Sequence, residues 1–233
     1  ISGWQTDWRN FCAPHGTSRE IPIEPRRILA EMNRLSPPDT VMVDDVGNCQ
    51  VWSEQYWEVR TPGHHMTAGG FAAMGFGVCG VLGARLARPD SPCVTLCGDG
   101  GFMMTPHAVA TAVEYGLPAV WVMLNNYAIG TIRDLQRAYL DGRELGTSFV
   151  KESTGELWNP DFVRMTEAMG GRGIRIEHPD QFADAYAEAI RSDVPTVLDV
   201  VVNRDTGIPI TGTWQMPPIP EVAPTFGRRL VRD

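Results

Sequence analysis

Val94-Thr95-Leu96-Cys97-Gly98-Asp99-Gly100, followed by Val120-Trp121-Val122-Met123-Leu124-Asn125-Asn126, is the stretch whose reading decides the fold. The first run is a short strand that passes straight into a glycine loop. The second is apolar throughout, as a strand buried on both faces must be. Between them, Pro106 to Tyr115 reads as a helix closed by Gly116. Strand, loop, helix, strand, loop is one right-handed crossover, so the two strands are expected to lie parallel with both loops at one edge.

Strand and helix signals alternate in the same way on either side. Pro25 opens a helix through Met32. Val41-Met42-Val43-Asp44 is a short strand ending in Asp45-Val46-Gly47, with a helical stretch near Trp52–Trp57 and a Gly/Ala-rich helix from about Ala73 to Ala87. Helices near Pro160–Met169 and Gln181–Ile190 bracket a strand at Gly173–Ile176, and Val197–Val202 is the last strand. The expected fold is α/β, a doubly wound, mainly parallel sheet of about six strands with helices on both faces. Residues 22–205 form this domain. Residues 1–21 read as a linker from an upstream region, because the chain opens on Ile1 with no natural start. Residues 206–233 read as a Pro-rich tail running over the surface.

The formal net charge of -8 argues against nucleic acid or an anionic membrane as a partner. No apolar run approaches the roughly 20 residues a membrane helix needs. Five cysteines, none in a CxxC pair, are expected as reduced thiols in a cytoplasmic protein.

The glycine loop has a physical reading of its own. Gly98 and Gly100 allow the backbone to approach a ligand, and the helix that follows directs its N-terminus there, which favours a phosphate. Asp99 would repel a bare phosphate. A divalent cation between the two resolves the conflict, and Mg²⁺ prefers one or two carboxylate or amide oxygens together with phosphate oxygens. Asn126, 27 residues after Asp99, begins the loop after the next strand and can offer a neutral amide oxygen.

Gly98-Asp99-Gly100 through Asn125-Asn126 resembles the signature of thiamine-diphosphate enzymes, and the wider run is similar to the C-terminal, diphosphate-binding domain of the acetolactate synthase family. Asp44-Asp45-Val46-Gly47, the Gly69–Gly77 segment, the GDGGFMMT run and Val113–Pro118 into Asn126 are the segments that resemble it. The resemblance implies that Asp99, the Asn126 side chain and the Ala128 carbonyl bind Mg²⁺. It implies further that Gly98, Gly100, Gly101, Ile129 and Gly130 approach the diphosphate, with Val46, Gly47, Asn48 and Cys49 as a second loop on that side. Met74 corresponds to the bulky residue that props the cofactor into a bent form, and the backbone near Ala72 and Met74 faces the pyrimidine. The implied substrates are 2-oxo acids or aldehydes, joined or cleaved at a C–C bond. An activating glutamate is expected on an N-terminal pyrimidine-binding domain or subunit, so a homo- or hetero-oligomer is implied, with FAD possible in the full enzyme. The alternative is a non-catalytic, cofactor-holding or regulatory subunit.

The sequence also departs from that family. Gly101 stands where serine is usual, removing a hydroxyl from the diphosphate side, and Asn48-Cys49 replaces glutamine-histidine. Thr131 and Leu135 stand in place of methionine and tryptophan, and the resemblance implies that both line the second-substrate side. Gly75–Gly80 fits GxGxxG, yet without a preceding strand it reads as close helix packing and not as a dinucleotide site. His64-His65 could face the cleft, His107 opens a helix, and Arg133–Arg137 reads as a solvated helix face.

Overall fold

Val120–Asn125 is buried along its whole length, and the remaining strands arrange themselves around it. The computed structural model describes residues 2–208. Six strands form one sheet: β1 (Val41–Asp44), β2 (His65–Met66), β3 (Cys93–Gly98), β4 (Val120–Asn125), β5 (Arg172–Ile176) and β6 (Thr196–Val201). Their order is β2-β1-β3-β4-β6-β5, and every pairing is parallel. The helices are α1 (Ser2–Cys12), α2 (Pro25–Leu35), α3 (Asn48–Tyr56), α4 (Phe76–Ala87), α5 (Asp99–Phe102), α6 (Ala108–Glu114), α7 (Gly130–Tyr139), α8 (Phe162–Ala168) and α9 (Pro179–Ala189).

The period of two along each strand sorts the core into two halves. Val120, Val122 and Leu124 of β4 meet α2, α3 and α9 through Ile28, Leu29, Trp52, Phe182 and Tyr186. Trp121 and Met123 point the other way, to Val78 and Val81 of α4, Val109 of α6 and Phe162 of α8. Trp121 is fully buried, and its indole N–H would be orphaned there if it did not donate to the Val78 carbonyl at 2.9 Å.

The chain leaves β1 for α3 on one face and leaves β3 for α5 and α6 on the other. Adjacent strands that send their loops to opposite faces open a crevice at the carboxyl edge of the sheet. The β1, β3 and β4 loops all gather there.

Some elements differ from the sequence expectation. The opening stretch expected as linker is helical over Ser2–Cys12. Trp8 packs on Tyr56 with ring centroids 5.3 Å apart, and its Nε1 donates to the Gln55 carbonyl. Trp4, Trp8, Phe11 and Cys12 have helical spacing, so the signal was present. β2 is a two-residue edge strand, too short for any periodicity to reveal. Helix α3 begins at Asn48, four residues before Trp52, because Gly47 supplies its start.

Arg133 is not on a solvated face. It is buried and paired with Glu144 at 2.9 Å and Asp205 at 2.8 Å, and it also donates to the Arg204 carbonyl. The chain after β6 returns across α7, which no local pattern announces. Of the Pro-rich tail only 206–208 lies within the described residues. All five cysteines are free, with Cys79 exposed. Among the described residues no helix is long and apolar enough to cross a membrane.

Candidate cofactor and metal site

The three loops enclose a cavity of about 300 Å³. Val46, Gly47, Asn48 and Cys49 line it from the β1 loop, Ala72 and Met74 from the segment before α4, and Gly98, Gly100 and Gly101 from the β3 loop. Asn126, Ala128, Ile129 and Gly130 line it from the β4 loop. These residues, all expected from the sequence, come together. Asp99 is completely buried between Gly98 and Gly100.

Helix ends make this cavity a place for an anion. The N-termini of α3 at Gly47, α5 at Gly98 and α7 at Ile129 receive no hydrogen bond from a capping side chain. Among the other helices, α8 and α9 are capped by Asp161 and His178, α2, whose Pro25 also lines the cavity, is capped by Glu24, and α6 starts away from the cavity without a side-chain cap. Uncapped first-turn N–H groups need an acceptor, and a ligand's phosphate oxygens can supply it.

Into this setting the fold places a carboxylate. Asp99 Oδ2 accepts from Asn159 Nδ2 at 2.8 Å, while Oδ1 is buried with no hydrogen-bond partner. Burial pushes this carboxyl up to about 6, against the hydrogen bond from Asn159, which pulls it down. An orphaned buried oxygen of this kind is what a cation would satisfy.

Asn126 Oδ1 accepts from the Ala128 N–H at 3.1 Å, a tight turn that passes through Tyr127 at φ +55°. Ala72, on the opposite wall, is also left-handed at φ +49°. Non-glycine residues held there cost about 1–3 kcal/mol each and cluster at functional sites. Gly130 makes room for two side-chain amides: a Cβ would lie 2.6 Å from Asn126 Nδ2 and 2.9 Å from Asn48 Nδ2, so one or both would have to shift. One carboxylate, one amide oxygen and a backbone carbonyl are hard donors that suit Mg²⁺ with phosphate oxygens. Among the described residues no cluster of three or more His, Cys, Asp or Glu could hold a softer metal.

Asp45 was not singled out from the sequence, and it explains Gly101. Its Oδ1 accepts from Gly75 N at 2.8 Å and Gly77 N at 3.2 Å, capping α4 from outside. Its Oδ2 is buried without a partner and faces Gly101, where a Cβ would collide with it. A side chain at 101 would therefore meet Asp45, so the missing serine is no simple loss of a hydroxyl toward the diphosphate. Gly101→Ser is expected to destabilise the protein by about 1–3 kcal/mol through overpacking. Urea unfolding checks this, and an unchanged midpoint would mean that Asp45 turns aside freely.

Two other departures prove to be partners: Thr131 Oγ1 donates to Asn48 Oδ1 at 2.7 Å, and Asn48 Nδ2 donates to Asp134 Oδ2 at 3.0 Å. Together they tie α3 to α7 across the cavity mouth. Leu135, one turn beyond Thr131, is half-buried and does not line the cavity, whose wall on α7 ends at Ile132. His64 is buried, with Nδ1 2.8 Å from the Asp39 carbonyl, and His65 Nε2 sits 2.6 Å from Asp44 Oδ2. Neither lines the cavity, nor does the exposed His107. The Gly75–Gly80 run starts α4 after a loop and not after a strand, so the dinucleotide context is missing.

Residues 45–200 match the family described as thiamine pyrophosphate enzyme, C-terminal TPP binding domain. The chain is 31% identical over 194 residues to a probable acetolactate synthase large subunit of Methanococcus aeolicus, covering 81% of this chain and 31% of that one. It is 32% identical over 206 residues to the acetolactate synthase isozyme 3 large subunit of Escherichia coli, covering 86% and 34%. Among solved structures it is similar to a Rhodococcus jostii thiamine diphosphate-dependent 4-hydroxybenzoylformate decarboxylase. The TM-score is 0.70 at 25% identity, over 80% of this chain and 34% of that one. The chain spans about a third of the length of the curated relatives it matches.

Proposed function

The chain belongs to the thiamine pyrophosphate enzymes of the acetolactate synthase-like family, as their C-terminal TPP-binding domain, and on that premise we propose that it anchors thiamine diphosphate through Mg²⁺ for C–C bond cleavage or carboligation of 2-oxo acids or aldehydes. The observation behind this reading is the bare, buried Asp99 Oδ1 beside three uncapped helix N-termini. A carboxylate and a phosphate drawn to the same helix N-termini repel each other, and a divalent cation between them relieves that repulsion.

In this reading Asp99, the Asn126 side chain and the Ala128 carbonyl hold the metal. The backbone of Gly100, Gly101, Ile129 and Gly130 approaches the diphosphate from one side and Val46 to Cys49 from the other. Met74 props the cofactor; its Cε lies 3.3 Å from where a Gly100 Cβ would be, so it stands directly over the glycine loop. When bound, thiamine diphosphate would supply the electron sink for the bond broken or formed at the substrate's carbonyl carbon. The chain's own residues bind, orient and exclude water.

Among the described residues, no histidine, aspartate or glutamate lines the cavity. On this reading the proton transfer to the cofactor is expected from another part of the enzyme. This supports an N-terminal pyrimidine-binding domain or subunit that brings an activating glutamate, hence an oligomeric enzyme. FAD would belong to such further parts.

Calorimetric titration of thiamine diphosphate with and without Mg²⁺ tests the reading; NAD binding in place of thiamine diphosphate would sink it. The pH profile adds a sharper criterion. Only ionised Asp99 binds the cation, and its carboxyl titrates near about 6 without metal. Metal-dependent affinity is expected to be flat above neutrality and to fall about tenfold per pH unit well below 6. The stability linkage has the same origin. Because the folded value is raised, protonation favours the fold, and this contribution is lost as pH rises through about 6. A bound cation removes that penalty.

A further inference from the structure

Between Asp99 on the β3 loop and Asn125 at the end of β4 lies a side chain that belongs to neither loop. Asn159 Nδ2 donates to Asp99 Oδ2 and to Asn125 Oδ1, each at 2.8 Å. An amide nitrogen has two N–H groups, so both are used, and both acceptors sit on loops of the cofactor site.

The neighbouring groups leave this geometry little freedom. Asn125 Nδ2 donates to Asp199 Oδ1 at 2.8 Å, and Asp199 Oδ2 in turn accepts from Arg175 Nη1 at 2.5 Å. That fixes the orientation of the Asn125 amide, with its oxygen toward Asn159. Downstream of Asn159, the Asp161 side chain caps α8 by accepting from Arg164 N at 3.0 Å. Phe162 packs edge-on against Phe102, one turn after Asp99, with centroids 5.8 Å apart. Upstream, Trp158 N donates to the Phe149 carbonyl, and an antiparallel bridge joins Ala128 to Ser148. One segment, 148–159, thus touches Ala128 at its start and Asp99 at its end.

We propose that Asn159 is a positioning residue of the metal site. It holds the Asp99 carboxylate by Oδ2 so that Oδ1 stays bare for the divalent cation, and it locks the β3 and β4 loops at the spacing that gathers Asp99, Asn126 and Ala128 around one ion. This rests on the cofactor reading above.

The test is Asn159→Ala in the full protein, with two quantities measured: the Mg²⁺ concentration that half-saturates thiamine diphosphate binding, and the Kd for thiamine diphosphate at saturating Mg²⁺. The first is expected to rise about 10–100-fold and the second to stay within about twofold, as for loss of a group that orients a metal ligand. With Mn²⁺ as the metal, the electron paramagnetic resonance lines are expected to broaden as the site loses its fixed geometry. A general loosening of the domain would move both binding quantities alike, and that result overturns the proposal. So does an unchanged Mg²⁺ requirement, which leaves the cofactor reading standing. If the parent protein binds no thiamine diphosphate in Mg²⁺, both fail together. Should Asn159→Ala not fold, Asn159→Thr keeps a donor for one acceptor. An intermediate rise supports the role, and the parent value overturns it.

Discussion

Asp99→Asn is expected to abolish Mg²⁺-dependent thiamine diphosphate binding while leaving the metal-free protein at least as stable as the parent near neutral pH. The two halves of this result have one cause. The carboxylate is fully buried, and burial holds its carboxyl up at about 6, so near neutral pH the fold bears an ionised group it disfavours. An amide of the same shape removes that cost and keeps an oxygen for Asn159. It also turns an N–H toward the place of the cation, which repels it. The loss of affinity should exceed about 100-fold, since removing merely a supporting residue costs roughly 10–100-fold. Calorimetry with and without Mg²⁺ measures the first half and thermal melting the second. Retained metal-dependent binding would remove Asp99 from the site; a lower melting temperature would mean that the charge is structural.

Phe102→Ala is expected to cause the largest loss of stability, about 3–5 kcal/mol, as for other buried aromatic truncations. Phe102 is fully buried, follows Asp99 by one turn of α5, and meets Phe162 at the start of α8. Its removal leaves a cavity under the glycine loop and loosens the start of α8, just after Asn159. A lower urea midpoint at unchanged denaturant slope is the expected signature. A loss below about 1 kcal/mol would mean that the two helices close the gap by themselves.

The sheet was legible in the sequence because its determinants are local. Val120–Leu124 and Val94–Cys97 are runs that only a strand covered on both faces can bury, and Gly98, Gly47 and Gly116 mark where the chain must turn. The residues of the β1, β3 and β4 loops were legible for a related reason, since these loops follow directly on strand ends. What escaped depends on contacts between distant positions. Asn159 lies 60 residues from Asp99, and Arg133 lies 72 from Asp205. Asp45 was visible as part of the β1 loop, but its wedge between Gly77 and Gly101 exists only after three segments meet. Leu135 was placed by the family resemblance, which gives its position in the chain but not the depth at which the cavity ends.

The strand order has a consequence for synthesis. Among the described residues β5 pairs only with β6, which comes later in the chain and inserts between β5 and β4. While the polypeptide emerges from the ribosome, β1 to β4 can assemble with their helices, but β5 has no strand of the sheet to pair with until β6 arrives. β6 also brings Asp199, the group that fixes Asn125 and, through it, Asn159. A nascent chain stalled before β6 would therefore own every residue of the glycine loop and of the Asn125-Asn126 pair, yet lack the support that orients them. On the proposed reading, uptake of the cofactor is therefore expected only once β6 has paired with β4 and β5.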